Sequence, residues 1–438
     1  MEHGTDLSGL AYVVITALAC GMAFAHFKQP PLVGYLLAGV LLGPTGFELV
    51  QSEGMIAGFA EIGVLMLLFI VGMELSVRTL KYTWRLALPA VAMQTTACLL
   101  IMFLASSLLG ISTSAAILLG FVVALSSTAV AVKLLEEIGA LRARVGRITV
   151  AVLIAQDLAF LPMLLIVENL GSHGFDMAAA AQIGISGLIL FGLVRILLQQ
   201  GRQHLPFYKI IIGHVELSPL AGLVYCFGAS ALMGAIGLSP AYGAFLAGLA
   251  IGNSVEREPM LAVVRPIQSV MLMIFFLSIG LLLDLNFVWN NLSMVLFLFL
   301  IVTLFKSALN IFIFRLLGES WQRAFMSGVI ISQLGEFSFL LAASATVVAA
   351  ITPEESKLII SVTVLSLALS PFWLSTARRL QRIAERRLNT LKLVFNATFV
   401  GERLLARRSA RWARRSSGRI MSKAYQMREK TITKWPKK

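Results

Sequence analysis

Apolar runs of membrane-spanning length follow one another along almost the whole chain, and this succession decides what it can fold into. Thirteen runs are read, at about residues 8–26, 30–44, 55–75, 86–109, 114–135, 148–167, 178–200, 208–236, 240–253, 264–283, 291–316, 323–349 and 357–376. A helix that crosses a bilayer needs about 20 mostly apolar residues. Lipid offers the backbone no hydrogen-bond partners, so runs of this length must close their bonds internally, as helices. An all-α polytopic membrane protein is therefore expected. The balance of side chains agrees: 58% are hydrophobic and 13% charged, against roughly 25% charged in a soluble domain. Too few polar groups remain to cover a soluble particle, which excludes a cytosolic enzyme, a single-span receptor and a secreted disulfide scaffold. Cys20, Cys98 and Cys226 all lie in apolar stretches and are expected to pack as small hydrophobes.

Charge divides the chain in two. From Thr376 to Lys438 there are 19 basic residues and three acidic ones, whereas the remainder carries 17 basic and 19 acidic. We read a transmembrane domain over 1–376 and a basic cytoplasmic tail over 377–438, as an amphipathic helix on the anionic inner leaflet or a solvated segment. Because the basicity belongs to a tail on a membrane body, nucleic acid is not an expected partner. Alternate loops collect Lys28, Arg78, Lys81, Arg85, Arg142, Arg144, Arg147, Arg202, Lys209, Arg257, Arg315 and Arg323. The other loops hold acids and, as a basic exception, Lys357. Basic loops face the cytoplasm, so the N-terminus is expected outside and the C-terminus inside, in a plasma membrane such as the bacterial inner membrane. No basic stretch precedes the first apolar run, so no cleavable leader is read.

A charge at mid-bilayer costs about 2.5–3.5 kcal/mol on insertion scales and asks for a reason. Asp157 lies deep in the sixth span and Lys306 deep in the eleventh, and their opposite charges invite a pair. Glu61 and Glu74 mark the outer and inner parts of the third span as positions along a pathway. Two spans are also interrupted by polar residues: the fifth at Ser126-Ser127-Thr128 and the twelfth at Gln333-Leu-Gly335-Glu336. They run in opposite directions in corresponding halves, the pattern of an inverted-repeat transporter whose broken helices meet at the binding site. Structural alternatives are an ion pair that only fixes packing and Ser/Thr-lined helix seams. No metal-ligand spacing, phosphate loop or nucleophile motif appears, so no enzyme activity, metal site or cofactor is expected.

At these residues the chain resembles the monovalent cation:proton antiporters, and within them the membrane domain of the glutathione-gated potassium efflux systems. The resemblance runs through Gln29-Pro-Pro-Leu-Val-Gly-Tyr to Gly43-Pro44, Glu61 to Glu74, Ser126-Ser127-Thr128, Gln156-Asp157, Phe275 to Gly280 and Gln333 to Phe337, in the family's order. It implies that Asp157 takes a cation or a proton, with Gln156, Ser126, Ser127 and Thr128 around it. It further implies that Lys306 is its charge partner and that Gln333, Gly335 and Glu336 form the second broken helix. Spans four to six and eleven to thirteen would then move against a dimerising scaffold, as a homodimer. Leu334 stands where relatives often have glycine. The 62 residues after Thr376 are too few for the nucleotide-binding domain of the potassium efflux branch.

The chemistry follows from Asp157. Burial penalises its charged form, a nearby ammonium favours it, and hydroxyl and carbonyl oxygens of the broken helix suit a hard cation. Proton and cation compete for one carboxylate, and with Gln156 neutral, one-for-one electroneutral exchange of K⁺ for H⁺ is expected. Na⁺ in place of K⁺, a cation channel and a membrane sensor are the rival readings.

Overall fold

The computed structural model describes residues 7–26, 31–43, 46–47, 53–75, 77–109, 111–171, 177–199, 204–205 and 216–385. Sixteen helices and no strands occur among the described residues. They are α1 (Leu7–His26), α2 (Pro31–Leu42), α3 (Glu53–Glu74), α4 (Val77–Leu109), α5 (Thr113–Ala124), α6 (Thr128–Glu137), α7 (Arg144–Glu168) and α8 (Met177–Gln199). There follow α9 (Leu217–Ala235), α10 (Pro240–Gly252), α11 (Arg257–Leu282), α12 (Leu285–Asn290), α13 (Leu292–Leu316), α14 (Trp321–Ile330), α15 (Phe337–Val347) and α16 (Pro353–Glu385). Seven helical segments among the described residues are long and apolar enough to cross a membrane, one of them α5 and α6 taken together, and α2, α10 and α15 are shorter apolar helices.

The fifth and twelfth apolar runs are each two half-helices. The 12 residues of α5 and 10 of α6 are parted by Leu125–Ser127. The 10 residues of α14 and 11 of α15 are parted by residues 331–336. At 1.5 Å per residue none of the four halves spans a bilayer, whereas the 25-residue α7 does, at about 37 Å.

The helices of the unit Met1–Pro371 sort into two packed sets. In one, α3 lies against α10 and α11, α2 against α1 and α11, and α9 against α10. Its buried centre includes Met66, Phe69, Ile70, Met73, Cys226 and Val264. Small residues set the approach: a Cβ on Gly248 would stand 1.9 Å from the carbonyl oxygen of Phe69, and one on Gly72 would stand 2.4 Å from that of Phe245. In the other set α4 packs on α5 and α7, α14 on α13 and α7, and α15 on α5 and α7. The two sets meet through aromatic rings: Phe276 of α11 stands edge-on to Phe339 of α15, with centroids 6.0 Å apart. Cys98 and Cys226 are buried free thiols and Cys20 is half-buried.

The second unit, Phe372–Lys438, is described up to residue 385, as the end of α16. The amphipathic character expected for the rest of the tail lies outside the described residues, as do residues 208–215 of the eighth apolar run.

Candidate functional site

The two interruptions are brought against each other, and their backbones nearly touch. A Cβ on Gly335 would lie 2.8 Å from the carbonyl carbon of Ser126 and 2.9 Å from its oxygen. Interrupted helices leave carbonyls unpaired, which inside a membrane costs several kcal/mol each unless a side chain takes them. Here side chains take them. The Gln156 amide donates to the Ala124 carbonyl (3.1 Å), and the Ser126 hydroxyl donates across the break to that of Ile331 (2.7 Å). Asn310 also donates to Ile331 (3.3 Å), while Gln333 donates back to the Ser127 carbonyl (3.4 Å). The Leu334 amide donates to the Ser366 hydroxyl at 3.0 Å.

Lys306 completes this set. Fully buried on α13, its ammonium donates to the Leu125 carbonyl, which ends α5, and to the Gln333 carbonyl beyond α14 (3.0 Å). Helix C-termini carry partial negative charge, and one ammonium between two of them is compensated without any carboxylate. The pair expected between Lys306 and Asp157 is not formed. Two charges on distant helices invited it, but the ends of the broken helices supply the opposing charge instead.

Asp157, on α7 and only 6% exposed, faces the first turn of α6. The Thr128 hydroxyl donates to it, 3.2 and 3.3 Å from its two oxygens. The neighbouring hydroxyls, expected to join it, point elsewhere: Ser126 to Ile331, and Ser127 to the Val130 amide at 3.4 Å as the cap of α6. Gln156 turns to the opposite side of α7, donating to Gln94 of α4 (2.7 Å). In an α-helix adjacent residues project about 100° apart, which separates Gln156 from Asp157.

A cavity of about 380 Å³ reaches Asp157. Its wall includes Thr128, Glu336, Gln268 and Phe276, and Glu74 stands at its α3 end. Glu336 presents a buried carboxylate oxygen, Oε2, with no hydrogen-bond partner among the described residues. Glu74 pairs with Arg265 of α11 at 2.9 Å. Glu61 is exposed on α3 and is not in the cavity wall. Sequence reasoning missed Gln94, Asn310 and Ser366. The signal for the first two was a polar side chain inside an apolar helix, with Asn310 one turn beyond Lys306.

Two half-helix pairs crossing beside a buried carboxylate, in an all-helical membrane body, define a secondary transporter of the ion-exchanger class. The sodium/hydrogen exchanger transmembrane family model matches residues 13–378. The chain belongs to this family. It is 44% identical over 414 residues, 94% of either chain, to a protein of Paramagnetospirillum magneticum named iron transporter MagA. It is 30% identical to K(+) efflux antiporter 4 of Arabidopsis thaliana, over 83% of this chain and 62% of that one. It is likewise 30% identical to the glutathione-regulated potassium-efflux protein KefC of Salmonella schwarzengrund, over 88% of this chain and 62% of that one. The chain thus spans about three fifths of the length of these potassium efflux relatives. Its fold matches that of the sodium proton antiporter MjNhaP1 from Methanocaldococcus jannaschii, with a TM-score of 0.63 at 16% identity over 85% of this chain and 98% of the other.

Proposed function

We propose that the protein exchanges a monovalent cation, K⁺ before Na⁺, for H⁺ by alternating access at Asp157. The observation that carries this reading is the buried Asp157 carboxylate on the wall of a cavity, held by a single hydroxyl at the N-terminus of a half-helix. Deprotonated, Asp157 takes a cation with Thr128 Oγ1 as an oxygen ligand; protonated, it releases it. Either form crosses, and the empty charged form stays behind because a bare buried carboxylate is costly. With Gln156 neutral and turned away, one proton moves per cation and exchange is electroneutral. The preference for K⁺ rests on the potassium efflux relatives. On the distribution of basic loops we read the Glu74 end of the cavity at the cytoplasm and the N-terminus outside, in a bacterial inner membrane; membership of the family supports a homodimer. The tail beyond residue 385 would rest on anionic lipid.

A second reading, Fe²⁺ as the cation, is favoured by the relative named an iron transporter. One experiment separates these. Proteoliposomes carrying a trapped pH dye receive K⁺, Na⁺ or Fe²⁺ outside, with and without a protonophore. Cation-driven proton movement that Asp157→Asn abolishes supports exchange, and the most effective ion identifies the substrate. Flux without counter-movement of protons points to a channel, and no flux to a sensor; either result overturns the proposal.

A further inference from the structure

A second cavity, of about 700 Å³, opens between α4 and the N-terminal turn of α7, away from Asp157. Arg85, Arg144 and Arg147 all line it, together with apolar Leu141 and Ile148. Arg85 and Arg147 are exposed and form no ion pair among the described residues. Arg144 donates through Nε and Nη2 to Glu319, at 2.7 Å for the shorter contact, which leaves Nη1 without an acceptor among the described residues. Glu319, 2% exposed, is compensated by Arg144 and by Arg323 at 2.8 Å. The acid that Arg144 contacts is thus already compensated by two guanidinium groups.

The backbone adds to the same field. Ala143 provides no side-chain cap for α7, so the positive end of the helix dipole at its first turn is left without a capping side chain. Gly146, in that turn, lines the cleft; a Cβ there would lie 2.2 Å from the Leu141 carbonyl oxygen.

The apolar surroundings tell a phosphate from a phospholipid. Beside the cleft, α4 exposes two apolar side chains one turn apart, Trp84 and Leu88, at 49% and 42%. A headgroup among the arginines would lay its acyl chains against these two side chains, with Trp84 at the depth favoured by interfacial aromatics.

We propose that the cleft between α4 and α7 binds the phosphodiester headgroup of an anionic membrane lipid. Charge complementarity selects the occupant, since Arg147, Arg85 (over the Trp84 ring at 5.8 Å and without an ion pair among the described residues) and the spare donor of Arg144 would fork onto phosphate oxygens. The site is independent of the exchange reading and would hold whatever the transported ion.

The test uses the full chain in neutral detergent, titrated with phosphatidylglycerol or phosphatidylcholine in mixed micelles. Phosphatidylglycerol is expected to bind in preference, and the double substitution Arg85→Gln with Arg147→Gln to weaken it about thirtyfold, from about 1 kcal/mol per basic residue. The basic tail gives a background common to both proteins. Equal binding by the double variant overturns the proposal. Glycerol 3-phosphate competing as well as the lipid would make the occupant a soluble phosphate, and also overturns it. A second measurement needs no arginine variant. Brominated phosphatidylglycerol should quench Trp84 more than brominated phosphatidylcholine does, a difference that Trp84→Phe removes; equal quenching refutes the site.

Discussion

Replacing Gly335 by alanine tests whether the crossing of the two interruptions is the device that holds the site. The added Cβ would stand 2.8 Å from the Ser126 carbonyl carbon, 2.9 Å from its oxygen and 3.2 Å from the Ser127 nitrogen. All three are backbone atoms, so no side chain can swing aside. Restoring ordinary contact moves the strands apart by roughly half an ångström or more, and overpacking of this kind costs about 1–3 kcal/mol. The same movement stretches the Gln333 bond to the Ser127 carbonyl, already 3.4 Å, and the Ser126 bond to Ile331. Their loss adds about 0.5–1.5 kcal/mol each. A total of about 2–6 kcal/mol is expected as a lowered thermal midpoint in detergent, with exchange reduced in proteoliposomes because Thr128 shifts with Ser127. Gly228→Ala is the control: nothing lies within 4 Å of that position, so it should be neutral or slightly stabilising. If both variants melt and transport alike, the crossing does not bear on the site and the reasoning fails.

Lys306→Gln should lower the thermal midpoint while leaving the pH optimum of exchange in place, because Lys306 serves the Leu125 and Gln333 carbonyls and not Asp157. A moved optimum at unchanged stability would restore a direct pair. Thr128→Val removes the hydroxyl that reaches Asp157 and should weaken apparent cation affinity about tenfold, the equivalent of one hydrogen bond of about 1.4 kcal/mol; unchanged affinity would exclude Thr128 as a ligand. Asp284, between α11 and α12, accepts from the Phe287 amide (3.0 Å) and pairs with Lys357 (3.0 Å), and these partners hold its carboxyl below the usual range. A lowered carboxyl stabilises the fold above its unfolded value, about 3.9, and loses that contribution as pH falls through the folded value. Asp284→Asn should therefore flatten the acid limb of a midpoint-versus-pH curve, and a limb as steep as in the unsubstituted protein would contradict this.

Much of the architecture was legible because lipid narrows the choices: long apolar runs have to be helices, and polar interruptions in two of them have to be buried in protein. Asp157 stood out for the same reason, as did the Ser126–Thr128 and Gln333–Glu336 interruptions. What could not be read was direction. In an unwound segment three consecutive hydroxyls point three ways, and only Thr128 meets Asp157. Charge alone matched Lys306 with Asp157, since a sequence displays carboxylates but not the negative ends of broken helices. Gln94 and Ser366 carry backbone or side-chain bonds that only the packing of distant helices creates.

The glycine contacts between α3 and α10 have a mechanical consequence. Where a carbonyl oxygen sits within 2.4 Å of the space a methyl would need, at both Gly72 and Gly248, the two helices interlock like meshed gear teeth. Sliding one past the other by a single residue rise, about 1.5 Å, would bring bulkier neighbours into those notches. Shear along this seam is opposed at both notches, so α3 and α10 are held as one rigid pair.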